Sequence, residues 1–193
     1  MLQQASDDGP AVTAGMTEDD LRRIVREEIH AAFAKDPGGQ RCAIIASKGT
    51  LDWSYPPLII ATTAAATGME MSVFFTFYGL NIITKDFTKH VKVGTTGNPA
   101  MPMPIPMADV VSGMPGMKAM ATSMMKSKFS KKGVATIDEL LGLARDTGVR
   151  LIACRMTMDV FGYEDGDFID GVEFAGAASF ISDARKAHVT LFV

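Results

Sequence analysis

Cysteine and histidine are scarce in this 193-residue sequence, which holds 2 cysteines and 3 histidines. Two cysteines exclude a disulfide scaffold and any zinc site built from four cysteines. The three histidines lie far apart, so a local histidine metal motif is absent. Excess positive charge is lacking too, because the formal net charge is -3. A negative net charge argues against a protein whose main function is to bind nucleic acid, because such a protein needs a basic surface.

Motifs that would identify a common activity are also missing. No Gly-x-Gly-x-x-Gly follows the first predicted strand, where the turn reads Ser47-Lys-Gly-Thr, and there is no P-loop. Residues 1–15 include Asp7 and Asp8 and lack a positively charged start before an apolar core, so they do not resemble a signal peptide. We therefore expect a cytoplasmic protein without a bound cofactor or metal, in which free thiols stay reduced.

The pattern of residue types divides the chain into three parts. Residues 1–15 are small, polar and interrupted by Gly and Pro, which predicts a disordered tail. Residues 16–36 begin with the N-cap Thr17 and continue with apolar residues at spacings of three and four, which predicts an amphipathic helical arm. Residues 41–193 alternate strand and helix patterns with nearly continuous apolar strands, so we expect an α/β domain in which helices cover both faces of a parallel sheet.

The predicted elements of this domain can be placed from turn residues and periodicity. Strands are predicted at 41–47, 71–77, 149–154 and 189–193, and helices at about 54–67, 80–85, 116–129, 136–146 and 171–187. Pro56 and Pro57 then stand in the first turn of the second predicted helix of the chain, where a missing N–H is harmless. The stretch 53–84 has one charge, but its prolines and Gly68 favour a buried helix and strand over a membrane span.

Cys154 is the cysteine whose position suggests chemistry. It ends a predicted strand, and ligand sites of parallel sheets form beyond the carboxyl ends of the strands. A helix is predicted to start at Arg155, and both a helix N-terminus and a nearby cation lower the pKa of a thiol. Lys48 and Gly49 follow the first strand and are predicted to stabilise a thiolate at the same edge. Cys42 begins its strand, so the two thiols should lie too far apart to bond.

The alternative for either cysteine is a buried small hydrophobe. A metal loop among the acidic residues after Cys154 is less favoured than a solvated acidic loop, since an EF-hand spacing is not met.

Methionine is unusually abundant, with 14 residues, and a Met/Pro-rich insertion interrupts the α/β pattern at about 94–133. Eight methionines cluster there: Met101, Met103, Met107, Met114, Met117, Met120, Met124 and Met125. Three interpretations stay open: packing or subunit contact, a surface for a partner or a membrane, and a Cu(I) site. Lys126, Lys128, Lys131 and Lys132 follow the cluster. They suit either an anionic membrane surface or, by preference, a solvated helix end.

Three segments resemble one known family. They read Cys42-Ala-Ile-Ile-Ala-Ser-Lys-Gly-Thr-Leu-Asp, Phe74-Phe-Thr-Phe-Tyr-Gly-Leu-Asn and Leu151-Ile-Ala-Cys-Arg-Met-Thr-Met-Asp-Val-Phe-Gly. From about Arg41 to Val193 the chain is similar to the DsrE/DsrF/DsrH-like family, in its longer DsrE-like branch, often labelled peroxiredoxin-family. The resemblance implies a Rossmann-like fold, a homo-oligomer, and a sulfur carrier or sulfurtransferase that holds a persulfide on Cys154. It also implies rhodanese-like or TusA-like sulfur carriers as partners.

Two other functions compete with sulfur transfer. A thiol peroxidase or disulfide reductase fits the family label, but Cys42 lies too far away to resolve an oxidised Cys154, and a Thr-x-x-Cys motif is absent. A non-catalytic module that binds a partner through its methionine-rich surface is the other alternative. A homo-oligomer is expected, with the arm at 16–36 or the methionine segment at a subunit interface, because both carry more exposed apolar surface than a monomer usually does. The alternative is a monomer in which the arm packs on its own sheet.

Overall fold

The computed structural model describes residues 23, 27, 40–94 and 116–193, except for the side chain of Met117. The chain forms two compact units, Met1–Gly38 and Gly39–Val193. In the first unit, Arg23 and Glu27 are helical and exposed. The predicted tail at 1–15, the rest of the predicted arm at 16–36 and positions 95–115 of the methionine-rich insertion lie outside the described residues.

Within the described part of the second unit, five parallel strands form one sheet in the order β4-β3-β2-β1-β5. The strands are β1 Arg41–Ala46, β2 Glu70–Phe75, β3 Arg150–Cys154, β4 Val172–Ala175 and β5 Val189–Phe192. The three central strands are apolar and buried along most of their length. Both sides of such strands must be covered, because parallel strands are joined by crossovers that run over the faces of the sheet. The predicted α/β class is confirmed.

Helices cover both faces of the sheet. They are α1 Leu51–Ala66, α2 Phe87–His90, α3 Met117–Lys131, α4 Ile137–Asp146, α5 Arg155–Phe161 and α6 Ala177–Ala184. The crossovers containing α1 and α4 step in one direction across the sheet, and the crossover containing α6 steps back. Because such crossovers are right-handed, α1 and α4 lie on one face and α6 on the other. On the α6 face, Phe180 packs on Phe74 with ring centroids 5.4 Å apart.

The structure corrects the predicted helix at 171–187. The segment contains β4, followed by the shorter helix α6. β4 pairs with β3 from Leu151 opposite Val172 to Cys154 opposite Ala175, and Phe174 packs on Phe168 with ring centroids 5.7 Å apart. Four residues are too few for periodicity to separate a strand from a helix, so the neighbouring strand decided the outcome.

Helix α1 begins three residues earlier than predicted, after the extended residue Thr50. Pro56 and Pro57 therefore lie inside the helix rather than in its first turn, which corrects that prediction. Each proline removes one backbone hydrogen bond to the carbonyl four residues earlier. The stretch 53–84 contains the end of a helix and a strand, as expected. In the described part of the chain, no helix is long and apolar enough to span a membrane.

The segment after β2 is a 3₁₀ helix, Phe77–Ile83, where the sequence predicted a strand to Phe77 and a short α-helix at 80–85. The strand ends at Phe75, although Thr76 is still extended and its N–H donates to the Ala46 carbonyl at 3.0 Å. The chain turns at Phe77, which has a positive φ of 47°. A second 3₁₀ segment, Asp165–Asp167, follows α5. Both 3₁₀ segments contact helix α5: the Phe77 N–H donates to Thr157, and Asp165 pairs with Arg155.

Candidate functional site

The Cys154 thiol lies at the carboxyl edge of the sheet, one strand in from the β4 edge. Cys154 is the last residue of β3 and the N-cap of α5, and only 3% of it is exposed. Its backbone is positioned by pairing with β4, while β2 pairs with the preceding residues of β3. The residues of β3 before it are apolar and buried, so the thiol is presented from a rigid part of the core.

Hydroxyl and amide groups surround the sulfur of Cys154. The thiolate of Cys154 is favoured by the Thr157 hydroxyl and backbone N–H, the Thr76 hydroxyl and the Met156 backbone N–H. The amides belong to the first turn of α5, where N–H groups have no partner within the helix. Thr76 directly follows Phe75, which pairs with Ala153, so the strand register places Thr76 beside Cys154. The two threonine hydroxyls are also hydrogen-bonded to each other, so one hydroxyl proton at a time is directed to the sulfur.

These donors decide the ionisation of Cys154. Burial raises the pKa of the Cys154 thiol, because apolar surroundings disfavour the thiolate. The hydrogen bonds from Thr157, Thr76 and Met156 favour the thiolate, and together they outweigh burial and hold the pKa below its ordinary value. At Cys42 burial alone acts, and it raises the pKa of that thiol. Cys154 is therefore the better nucleophile of the two cysteines.

The turn after β2 orients the Thr157 hydroxyl. The backbone N–H of Phe77 donates to Thr157 Oγ1 at 3.3 Å, and Thr76 Oγ1 lies 3.1 Å from the same atom. A backbone N–H can only donate, so the Phe77 N–H occupies a lone pair of Thr157. When Thr76 donates to Thr157, the Thr157 hydroxyl proton is free for the sulfur. The positive φ of Phe77 is unfavourable for a residue with a Cβ. Such strain persists where the surrounding structure determines the conformation, as Thr157 and the adjoining turn do here.

Two glycines allow this turn to lie against the turn after β1. A Cβ atom at Gly49 would lie 2.0 Å from the carbonyl oxygen of Tyr78, and one at Gly79 would lie 2.1 Å from that of Ala46. No other residue fits at either position without a shift of the backbone. The contact of Gly49 in the structure is thus with the segment that positions Thr76 and Phe77. Direct stabilisation of a thiolate by Gly49 stays a prediction.

The two predicted cations point to other partners. The Lys48 ammonium lies 3.2 Å from the ring centroid of Trp53. The Arg155 guanidinium donates to Asp165 at 2.6 Å and lies over the ring of Phe174, 4.8 Å from its centroid. Within the described residues, the groups that lower the pKa of Cys154 are hydroxyls and amides rather than these cations. Roles for Lys48 and Arg155 in stabilising the thiolate stay predictions.

Sequence reasoning missed Thr157 and Thr76. A signal for Thr157 was available, because a threonine three residues after a cysteine that caps a helix lies in the first helical turn. Thr76 had no such signal. It lies beside Cys154 only because β2 and β3 are neighbours in the sheet.

Cys42 lies far from this site, at the amino edge of the sheet. It lines a cavity of about 410 Å³ together with Arg41, Ser72 and Arg150. Cys42 lies opposite Met71 of β2, and Cys154 lies level with Thr76, five residues further along the chain. At roughly 3.3 Å per residue, the two cysteines are therefore about 16 Å apart along the strand direction. Both cysteines are free, as expected from that separation. In the parts of the chain that the structure describes, no cluster of three His, Cys, Asp or Glu side chains is suited to a metal ion.

Comparison with known proteins gives one family and two similar sequences. The model of the DsrE/DsrF/DrsH-like family matches residues 39–192. The sulfur carrier protein DsrE2 of Allochromatium vinosum is 48% identical over 158 residues, which cover 80% of this chain and 98% of that protein. The uncharacterized protein YrkE of Bacillus subtilis is 33% identical over 156 residues, covering 80% of this chain and 97% of the relative. The crystal structure of the ychN protein from E. coli is 12% identical, with a TM-score of 0.49, covering 80% of this chain and 99% of that one.

Proposed function

We propose that this chain, which belongs to the DsrE/DsrF/DrsH-like family, is a sulfur carrier that holds a persulfide on Cys154 and relays sulfane sulfur between protein thiols. The relative that is 48% identical is named a sulfur carrier protein. The observation that supports the proposal best is the set of hydroxyl and amide groups that favour the thiolate of the buried Cys154. Such a site favours an anionic sulfur at a defined position.

The loading step is a displacement at sulfur. The Cys154 thiolate attacks the outer sulfur of a donor persulfide, a new S–S bond forms on Cys154, and the S–S bond of the donor breaks. The donor leaves as a thiolate, so sulfur is transferred without an external oxidant or reductant. In the unloading step an acceptor thiolate attacks the outer sulfur, and Cys154 leaves as a thiolate. A lowered pKa assists this step because a thiol of lower pKa leaves faster.

The hydrogen bonds suit both steps. The backbone amides of Thr157 and Met156 belong to the first turn of α5, so these groups are in place before the negative charge arrives. Burial of Cys154 limits access by small thiols that would remove the outer sulfur. Rhodanese-like or TusA-like proteins are the proposed donors and acceptors, and a homo-oligomer is the proposed assembly. Peripheral membrane contact through the lysine-rich end of α3 stays a prediction of the sequence.

A thiol peroxidase mechanism is less well supported by the geometry. A peroxidatic cysteine that forms a disulfide needs a second thiol within about 7 Å between α-carbons. Cys42 lies at the other edge of the sheet, and it is the only other cysteine in the sequence. Sulfur transfer needs one cysteine on this chain, because the other thiol belongs to the partner.

Intact mass spectrometry tests the proposed function. The wild-type protein is incubated with inorganic polysulfide, the excess is removed, and the protein mass is measured. We expect a gain of one sulfur atom that a reductant removes, no gain in Cys154→Ser, and an undiminished gain in the matched control Cys42→Ser. A gain that persists in Cys154→Ser, or no gain in the folded wild type, would refute the proposal.

A further inference from the structure

Exposed apolar side chains surround the buried Cys154 thiol. They come from the 3₁₀ segment after β2 and from α5, the two segments whose residues also donate hydrogen bonds to the sulfur. We call them the apolar rim: Phe77, Tyr78, Met156, Val160 and Phe161, each exposed over at least 40% of its surface. The rings of Tyr78 and Phe161 stack, with centroids 5.7 Å apart and planes inclined by 23°. This stacked pair brings the 3₁₀ segment and α5 together at the surface.

The rim holds three exposed aromatic side chains, Phe77, Tyr78 and Phe161, on two adjoining segments. Single exposed apolar residues are ordinary, but contiguous apolar patches with polar surroundings mark interaction sites. Tyr, Phe and Met are enriched at protein interfaces, since they bury much area for little loss of entropy. Met156 and Phe77 adjoin the donors to the sulfur. Whatever covers the rim therefore also approaches Cys154.

Negative charge flanks the rim on one side. The segment that includes α5 and the start of the following loop, 155–167, has four exposed carboxylates, Asp159, Glu164, Asp165 and Asp167. Two cations meet this segment: Arg155 pairs with Asp165, and the Lys85 ammonium donates to the Gly166 carbonyl at 2.7 Å. Carboxylates therefore outnumber these cations, and the 3₁₀ segment Phe77–Ile83 contributes no charge. We call residues 159–167 the acidic flank.

We propose that the apolar rim and the acidic flank are the docking surface for a protein that exchanges sulfur with Cys154, and that this partner presents a basic segment with an apolar side chain beside its own cysteine. The inference rests on the proposed function. The partner's sulfur must come within bonding distance of a buried thiol, so the partner must cover the surrounding rim. Opposite charge at the flank steers the encounter and sets the orientation, while the rim supplies the apolar contact.

Two synthetic peptides provide probes of defined chemistry. Each has one cysteine next to a phenylalanine, and the flanking residues are lysines in one and glutamates in the other. With the peptide cysteines loaded as persulfides, we expect the wild-type protein to accept sulfur about tenfold faster from the lysine peptide at low salt. High salt should reduce this preference, because exposed charges are screened.

Variants of the rim separate docking from the chemistry of the thiol. We expect Tyr78→Ser and Phe161→Ser to lower the ratio of transfer from the lysine peptide to loading by inorganic polysulfide about tenfold, the usual cost of truncating an interface anchor. Phe192→Ser is the matched control, since Phe192 is also aromatic and 73% exposed but lies on β5 at the far edge of the sheet. That variant should keep the wild-type ratio. Circular dichroism confirms that each variant is folded.

Equal rates from the two peptides, or an equal loss of peptide transfer and polysulfide loading in the rim variants, would overturn the docking proposal while sulfur loading itself stands. If the wild type takes sulfur from no source, the proposed function fails. Binding is then measured separately from sulfur transfer, by fluorescence anisotropy of the lysine peptide with serine in place of its cysteine. Weaker binding by Tyr78→Ser than by Phe192→Ser supports the docking surface, and equal binding refutes it.

Discussion

Replacing Thr157 by valine tests the origin of the reactivity of Cys154. Valine has nearly the shape of threonine, so the substitution removes the hydroxyl donor and leaves the packing of this buried residue in place. The backbone amides of Thr157 and Met156 and the Thr76 hydroxyl remain to favour the thiolate. The Thr157 hydroxyl is lost, and the pKa of the Cys154 thiol should move upward because burial is then opposed by fewer hydrogen bonds.

The size of the effect follows from the energy of a hydrogen bond to a charged acceptor, about 1.5–3 kcal/mol. Since three donors remain, the lower end of that range applies. Every 1.4 kcal/mol is a factor of about ten, so the thiolate population below the pKa should fall about tenfold. The substitution also leaves the Phe77 N–H without its acceptor, at a separate cost of about 1–3 kcal/mol in the free energy of unfolding.

The assay is the pH dependence of alkylation of Cys154 by iodoacetamide, read by peptide mass so that Cys42 is scored separately. The profile of Thr157→Val should shift to higher pH, and Thr157→Ser, which keeps a hydroxyl, should stay near the wild type. Urea unfolding measures the structural cost independently. If folded Thr157→Val has the wild-type pH profile, the assignment of Thr157 as a donor that stabilises the thiolate is wrong.

Two further predictions use other parts of the structure. Gly49→Ala should lower the free energy of unfolding by about 1–3 kcal/mol, because its Cβ would meet the Tyr78 carbonyl, and denaturation in urea measures the change. Gly142→Ala is its control: this helical glycine has open space around it, and alanine there should stabilise the protein by about 0.5–1 kcal/mol. Because burial raises the pKa of Cys42 while hydrogen bonds lower that of Cys154, alkylation of Cys154 should begin at lower pH. Faster alkylation of Cys42 at neutral pH would contradict the order of their pKa values.

Local chemistry determined several features that could be read from the sequence alone. Thr136 and Glu139 form the capping box that starts α4, since both partners lie within one helical turn of the same segment. The apolar run before Cys154 forms β3, and the change to helix at Arg155 leaves the thiol at a strand end. These predictions depend on residues close together in the chain, so the sequence pattern contains them.

Tertiary structure decided the features that depend on residues distant in sequence. β4 is a strand because β3 lies beside it, although its four residues have no decisive periodicity. Thr76 reaches Cys154 because β2 and β3 pair in a register that aligns the ends of the two strands. Arg155, next to the cysteine in sequence, is directed instead to Asp165 by the loop after α5. Hydrogen bonds and charges act over a few ångströms of space, and the order of strands in the sheet determines which groups come within that range.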